Sequence, residues 1–114
     1  MFNITEENGY TKIEVEGKLR HKDYIDTLIP KFEELASKGK LKVLVVMSSF
    51  EGIELKAMLD DFKTALKHRK DFEKVAVITD KNWMKVGLNI FKTIVSGEVE
   101  TFQDEKSAMI WMGI

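Results

Sequence analysis

Residues 41–80 read LKVLVVMSSFEGIELKAMLDDFKTALKHRKDFEKVAVITD. Two apolar runs, Leu41 to Met47 and Val75 to Ile78, bracket a stretch of helical periodicity. Continuous apolar runs of strand length, as opposed to alternating ones, describe strands covered on both faces, the habit of parallel sheets. Between them Leu55, Met58, Leu59, Phe62, Ala65 and Leu66 recur at helical spacing. They predict a helix from about Glu54 to Arg69 with this stripe turned inward. Lys67, His68, Arg69 and Lys70 close it, suiting the negative end of the helix dipole. A doubly buried strand, a crossover helix and a second such strand make a parallel βαβ unit.

Upstream, Phe2 to Glu6 and Tyr10 to Gly17 flank Asn8-Gly9, a strong hairpin signal because both residues tolerate positive φ. Thr11, Ile13 and Val15 alternate with Lys12, Glu14 and Glu16, which describes a sheet region with one wet face. His21 to Lys38 reads as a helix with Tyr24, Ile25, Leu28, Ile29, Phe32, Leu35 and Ala36 in one stripe. Pro30 inside it should kink or split the helix, and Gly39 closes it. Downstream, Trp83 to Val95 reads as a helix, Glu98 to Phe102 as a short strand, and Asp104 as the cap of a last helix through Met112. The order is ββαβαβαβα, an α/β domain filling residues 1–114, with a five-stranded, mostly parallel sheet whose first strand is antiparallel.

Composition bounds the function classes. The 114 residues carry 18 Lys and Arg against 19 Asp and Glu, so the global basic excess of a dedicated nucleic-acid binder is missing and no nucleic-acid partner is expected. Without cysteine there is no thiol nucleophile or thiolate metal site. His21 and His68 sit on different predicted helices and form no metal pair, and His68 fits as a helix-terminal cation. Asp60 and Asp61, adjacent on a helix, point about 100° apart and cannot share a proton; Lys56 and Lys63 bracket Asp60 as a solvated ion-pair ladder. No nucleophile elbow, phosphate-cradling loop or dinucleotide fingerprint appears, so neither an enzyme nor a cofactor is expected. The N-terminus has no signal-peptide pattern, and a cytoplasmic protein is the expectation.

Taken together, the landmarks resemble the bacterial SpoIIAA-like family. They are Val15-Glu16-Gly17-Lys18-Leu19 before Asp23-Tyr24, then Pro30, Phe50-Glu51-Gly52, Ala57 to Lys63, His68, Val75 to Asp80, Trp83, and the ending with Phe102, Ala108 and Trp111. The resemblance implies a βα superhelix similar to STAS domains and to lipid-carrying CRAL-TRIO domains, an apolar ligand pocket, and membrane association. It also implies Trp before the Asp-Asp pair, where this chain has Leu59. In STAS antagonists a phosphorylated regulatory Ser stands close to the Gly of the strand–helix loop. Here Phe50 and Glu51 precede Gly52, and Ser48-Ser49 lie further back.

The helix from Trp83 to Val95 is the informative element. Trp83, Met84, Val86, Leu88, Ile90, Phe91, Ile94 and Val95 cover roughly 200° of its circumference, more than one sheet contact requires. A pocket, a homodimer partner, a membrane or neighbouring helices could cover the surplus. Lys81, Lys85 and Lys92 flank it and would suit an anionic lipid surface. The leading expectation is non-enzymatic binding of a small lipophilic molecule lined by Phe50, Met58, Trp83, Met84, Leu88 and Phe91. Ser48, Ser49, Glu51 and Asp80 would form its polar rim at the carboxyl ends of the strands. The alternative is a regulatory interaction module of the STAS type, docking a protein partner through Phe50-Glu51-Gly52 and the helix that follows.

Overall fold

The computed structural model describes residues 1–80, 88–89 and 92–114. Strands β1 (Phe2–Glu6) and β2 (Thr11–Leu19) form an antiparallel pair with Phe2 opposite Val15 and Ile4 opposite Ile13. Strands β3 (Leu41–Ile53), β4 (Phe72–Ile78) and β5 (Glu98–Phe102) extend the sheet in parallel, in the spatial order β1-β2-β3-β4-β5. In the hairpin turn only Gly9 takes positive φ, at 90°, and Asn8 does not. One left-handed residue suffices to reverse the chain here, in place of the two expected.

Parallel connections that step one strand at a time in a single direction, each right-handed, place their helices on the same sheet face. The larger core forms on that face, from Ile13, Val15, Val43, Val75, Val77 and Val99 packed under Tyr24, Leu28, Phe32 and Leu35. Leu44, Ala76 and Ile78 point to the opposite face, where they meet Ala108 and Met112 of the last helix, α4 (Glu105–Met112). The continuous apolar runs of β3 and β4 therefore serve two cores at once. Asp104 caps α4 by accepting from the Ser107 backbone N–H at 2.8 Å, and Lys74 Nζ donates to the Trp111 carbonyl at 2.8 Å.

The first crossover is helical from His21 to Ala36, as α1 (His21–Asp23), a π-helical turn (Tyr24–Leu28) and α2 (Ile29–Ala36). Pro30 neither splits nor ends it. The wider π turn lies immediately before the proline, where the missing N–H would otherwise leave a gap in the hydrogen-bond ladder. The extra residue in that turn also rephases the stripe, so Ile25 stays exposed while Tyr24, Leu28, Phe32 and Leu35 are buried.

Strand β3 runs on through Ser48-Ser49-Phe50-Glu51-Gly52, a stretch that the sequence, with its small and turn-forming residues between the apolar run and the next helix, predicts as a loop. Its pairing with β2 slips twice. Glu14 lies opposite Val46 but Glu16 opposite Ser49, and Gly17 lies opposite Phe50 but Lys18 opposite Gly52. Each slip inserts one extra residue into β3. The first reverses the alternation, so Phe50 rejoins Val43, Val45 and Met47 on the larger core.

Candidate functional site

A cavity of about 470 Å³ lies between the sheet and α3 (Leu55–Lys67), within the roughly 300–1,000 Å³ typical of small-molecule sites. Ile13, Val15, Val43, Val45, Val75 and Val77 form its floor. Tyr24, Leu28 and Phe32 wall one side; Met47, Phe50 and Ile53 of the β3 extension wall the end. Met58, Asp61, Phe62, Thr64 and Ala65 of α3 form the roof. Met58 and Phe62 line the cavity and are also exposed, so they mark the side on which it opens.

The cavity exists because α3 is rotated from the orientation its apolar stripe predicts. Ala57, Asp60, Thr64 and Ala65 are its buried residues, while Leu55, Leu59 and Leu66 are 75%, 52% and 54% exposed. Polar groups turn it. His21 donates from Nδ1 to Asp60 Oδ2, and the Tyr24 hydroxyl donates to Asp61 Oδ1 at 3.1 Å. The Thr64 hydroxyl satisfies itself on the Asp60 carbonyl at 2.7 Å. These bonds hold the small and acidic face of α3 against α1 and the π turn, with Ala57 permitting close approach. Asp60 is thus a buried partner of His21, in place of the surface ladder expected with Lys56 and Lys63.

Asp61 is the one acid that the described residues place in this predominantly apolar wall. Burial pushes its carboxyl up to about 6, against the lowering effect of the Tyr24 hydrogen bond. Burial and the neighbouring charges of Asp61, Asp60 and Asp23 push the Tyr24 phenol well above its ordinary value, so it stays a donor. Sequence reasoning missed this pair. The available signal was the run of small and polar residues, Ala57, Asp60, Thr64 and Ala65, one turn or two apart, which marks a face suited to close helix packing.

Of the residues expected to line a ligand site, Phe50, Met58 and Leu88 do line this cavity. Trp83, Met84 and Phe91 lie outside the described residues, as do Lys81 and Lys85. The expected rim does not border the cavity: Ser48, Ser49, Glu51 and Asp80 are all exposed and none lines it. The β3 bulge explains part of this, since the register slip that turns Phe50 inward leaves both serines in solvent. Leu59, at the position where the resemblance implies Trp, does not touch the cavity either, so its shape does not depend on that residue.

On the third crossover, Leu88 and Ile94 are half-buried and Val95 is buried, while Asn89, Lys92 and Thr93 are exposed. Lys92 lies 3.7 Å from Glu100, so an acid from β5 offsets one of the three lysines that flank the apolar arc. His68 caps α3 and is buried, bonded through Nδ1 to Asp71 at 2.8 Å and packed edge-on to Phe32. The sequence places it at the end of the helix, as found, and the structure adds that its ring is buried in the core. Among the described residues no cluster of three His, Asp or Glu is placed to hold a metal, and no helix is long and apolar enough to cross a membrane.

A mixed sheet in sequential strand order, with crossover helices wound along one face and a terminal helix on the other, defines an α/β fold of the STAS type. The chain belongs to the SpoIIAA-like family, whose model matches residues 10–113. It is similar to an uncharacterized DUF3478-family protein with a SpoIIAA-like fold from Shewanella loihica PV-4. That likeness has 27% identity and a TM-score of 0.80, covering 98% of this chain and 92% of the other. It also shares the fold of the anti-sigma factor antagonist SpoIIAA in its unphosphorylated form. There the identity is 10% and the TM-score 0.66, covering 100% of both chains. No curated protein matches.

Proposed function

We propose that this protein is a non-enzymatic, regulatory protein–protein interaction module of the STAS type, docking its partner through α3. The observation that carries the reading is the outward apolar face of that helix. Leu55, Leu59, Phe62 and Leu66 lie exposed along one side, beside the end of β3. A contiguous apolar strip on a small domain is what a partner surface requires. The fold supports the same reading, since the anti-sigma factor antagonist that shares it is by description a protein that acts on another protein. Phe50-Glu51 in place of a serine before Gly52 means that docking here is not switched by phosphate at that position.

The test uses the tagged protein and its Leu59→Asp/Leu66→Asp variant as baits in extract of the source cell. A partner retained in stoichiometric amount by the native chain and lost by the variant supports the proposal. No such partner counts against it. Self-association would use the same face, and light scattering that finds a strict monomer at high concentration rules out the homodimer.

The cavity favours a second reading, that the protein also takes up a small lipophilic molecule. Its volume and predominantly apolar walls are the supporting observation. Organic extraction of freshly purified protein followed by mass spectrometry tests it, and a clean extract together with no binding of added amphiphiles sinks it.

A further inference from the structure

We infer that the cavity selects an apolar molecule bearing one protonated amine, with Asp61 as the counter-ion. The inference rests on the second reading above and goes further by naming the ligand's polar group.

A carboxylate at the wall of an apolar cavity is a costly group to leave unpaired. Asp61 is such a group, with Val43, Val45 and Val75 across the cavity from its helix. A carboxylate offers about four acceptor positions. Among the described residues the Tyr24 hydroxyl fills one of them, as a neutral donor.

Among the described residues no basic side chain is paired with Asp61. His21 is bonded to Asp60, His68 to Asp71, and Lys67 to Glu33. Asp23 and Asp60 add to the negative field that acts on Tyr24, and of these three acids Asp61 is the one that lines the cavity. Burial already raises the Asp61 carboxyl to about 6, the response of an acid that lacks a cation and would gain one.

Three ligand chemistries can be compared at this wall. A fatty acid brings a second negative charge to Asp61 and is disfavoured. An alcohol supplies one neutral donor and leaves the charge uncompensated. An ammonium group supplies up to three donors and a full opposing charge, while its chain covers the apolar floor. Met58 and Phe62, at the open side, are flexible or flat enough to admit such a chain past α3.

Calorimetric titrations with decylamine, decanol and decanoic acid, below their micellar concentrations and at about pH 7.5, test the assignment. The amine should bind at least about tenfold more tightly than the alcohol, and the acid more weakly than either. Asp61→Asn should remove most of the amine's advantage and leave decanol within about threefold of its native affinity. Tyr24→Phe, which keeps the carboxylate, should retain the preference. Decanol should displace the amine one for one.

Equal binding of amine and alcohol, or an amine preference that survives Asp61→Asn, overturns the proposal and leaves the cavity reading standing. Simultaneous binding of both probes places the amine outside the cavity and overturns it too. If no probe binds, the cavity reading fails and the proposal falls with it.

Discussion

Tyr24 of the π turn and Asp61 of α3, 37 residues apart in sequence, meet through a 3.1 Å hydrogen bond that ties the first crossover helix to the second. Among the described residues the same bond supplies the one donor to the acid at the cavity wall. Tyr24 is 2% exposed and also packs edge-on against Phe2, with ring centroids 5.1 Å apart, so its hydroxyl is held in place from the β1 side.

Removing that hydroxyl should therefore affect both stability and titration. Tyr24→Phe keeps the ring packing but strips Asp61 of its described donor, and should destabilise the fold by about 1–2 kcal/mol. Because the hydrogen bond lowers the Asp61 value, its loss should move the carboxyl titration above about 6. Denaturant unfolding and a carbon-detected NMR titration of the aspartates measure the two effects, and an unmoved Asp61 resonance contradicts the assignment.

Asp61 should also leave a signature in the pH dependence of stability. Its folded value of about 6 lies above its ordinary value of 3.8, so between them the native state holds a proton that the unfolded chain has released. Unfolding free energy is then lost as pH climbs through this interval and levels off above it. Asp61→Asn should remove that loss. The variant should become more stable relative to the native chain as pH rises from about 4 to about 6, by on the order of 1–3 kcal/mol. Glu6, Glu33 and Asp104, whose values are lowered by lysine or serine partners, shift the opposite way but are common to both proteins and cancel in the difference.

The rotated α3 makes an inverted prediction for its apolar residues. Leu59→Ala and Leu66→Ala should change stability by less than about 0.5 kcal/mol, since both side chains are exposed. Ala57→Leu, at a fully buried position against the first crossover, should destabilise by about 3 kcal/mol through overpacking. Thermal unfolding of the three variants decides it, and the reverse ranking would mean that the leucine stripe faces the sheet.

Gly97 should tolerate no side chain. A Cβ built there would lie 2.3 Å from the Phe72 carbonyl oxygen and 2.7 Å from that of Glu73, both backbone atoms that cannot swing aside. Gly97→Ala should therefore push β5 from the start of β4 and destabilise by on the order of 2–4 kcal/mol. A melting temperature unchanged from the native chain would show that the two segments are not so close.

The strands and their order were legible in the chain because burial on both faces writes itself as uninterrupted apolar runs. Val43-Leu44-Val45-Val46 and Val75-Ala76-Val77-Ile78 leave little other reading, and each is followed by enough helical sequence for a parallel crossover. The site was legible only in part. Phe50, Met58 and Leu88 were expected at a pocket and do line one. The rim positions follow from a loop after Met47, whereas a register slip in β3 depends on its pairing with β2 and leaves no mark in the alternation of β3 alone.

What the chain by itself determined is therefore the set of elements, their sequence and the apolar face of each strand, because local periodicity and backbone preference set these within a few residues. The tertiary structure decided which side of α3 faces inward. Periodicity nominated Leu55, Leu59, Phe62 and Leu66, yet a hydrogen bond from His21 to Asp60 and another from Tyr24 to Asp61 turned the helix about its axis. Both bonds join residues far apart in sequence, and their strength depends on burial that exists only once the chain has folded. That rotation leaves an apolar ridge outside and, beneath, an apolar cavity with Asp61 in its wall, the two features on which the functional readings rest.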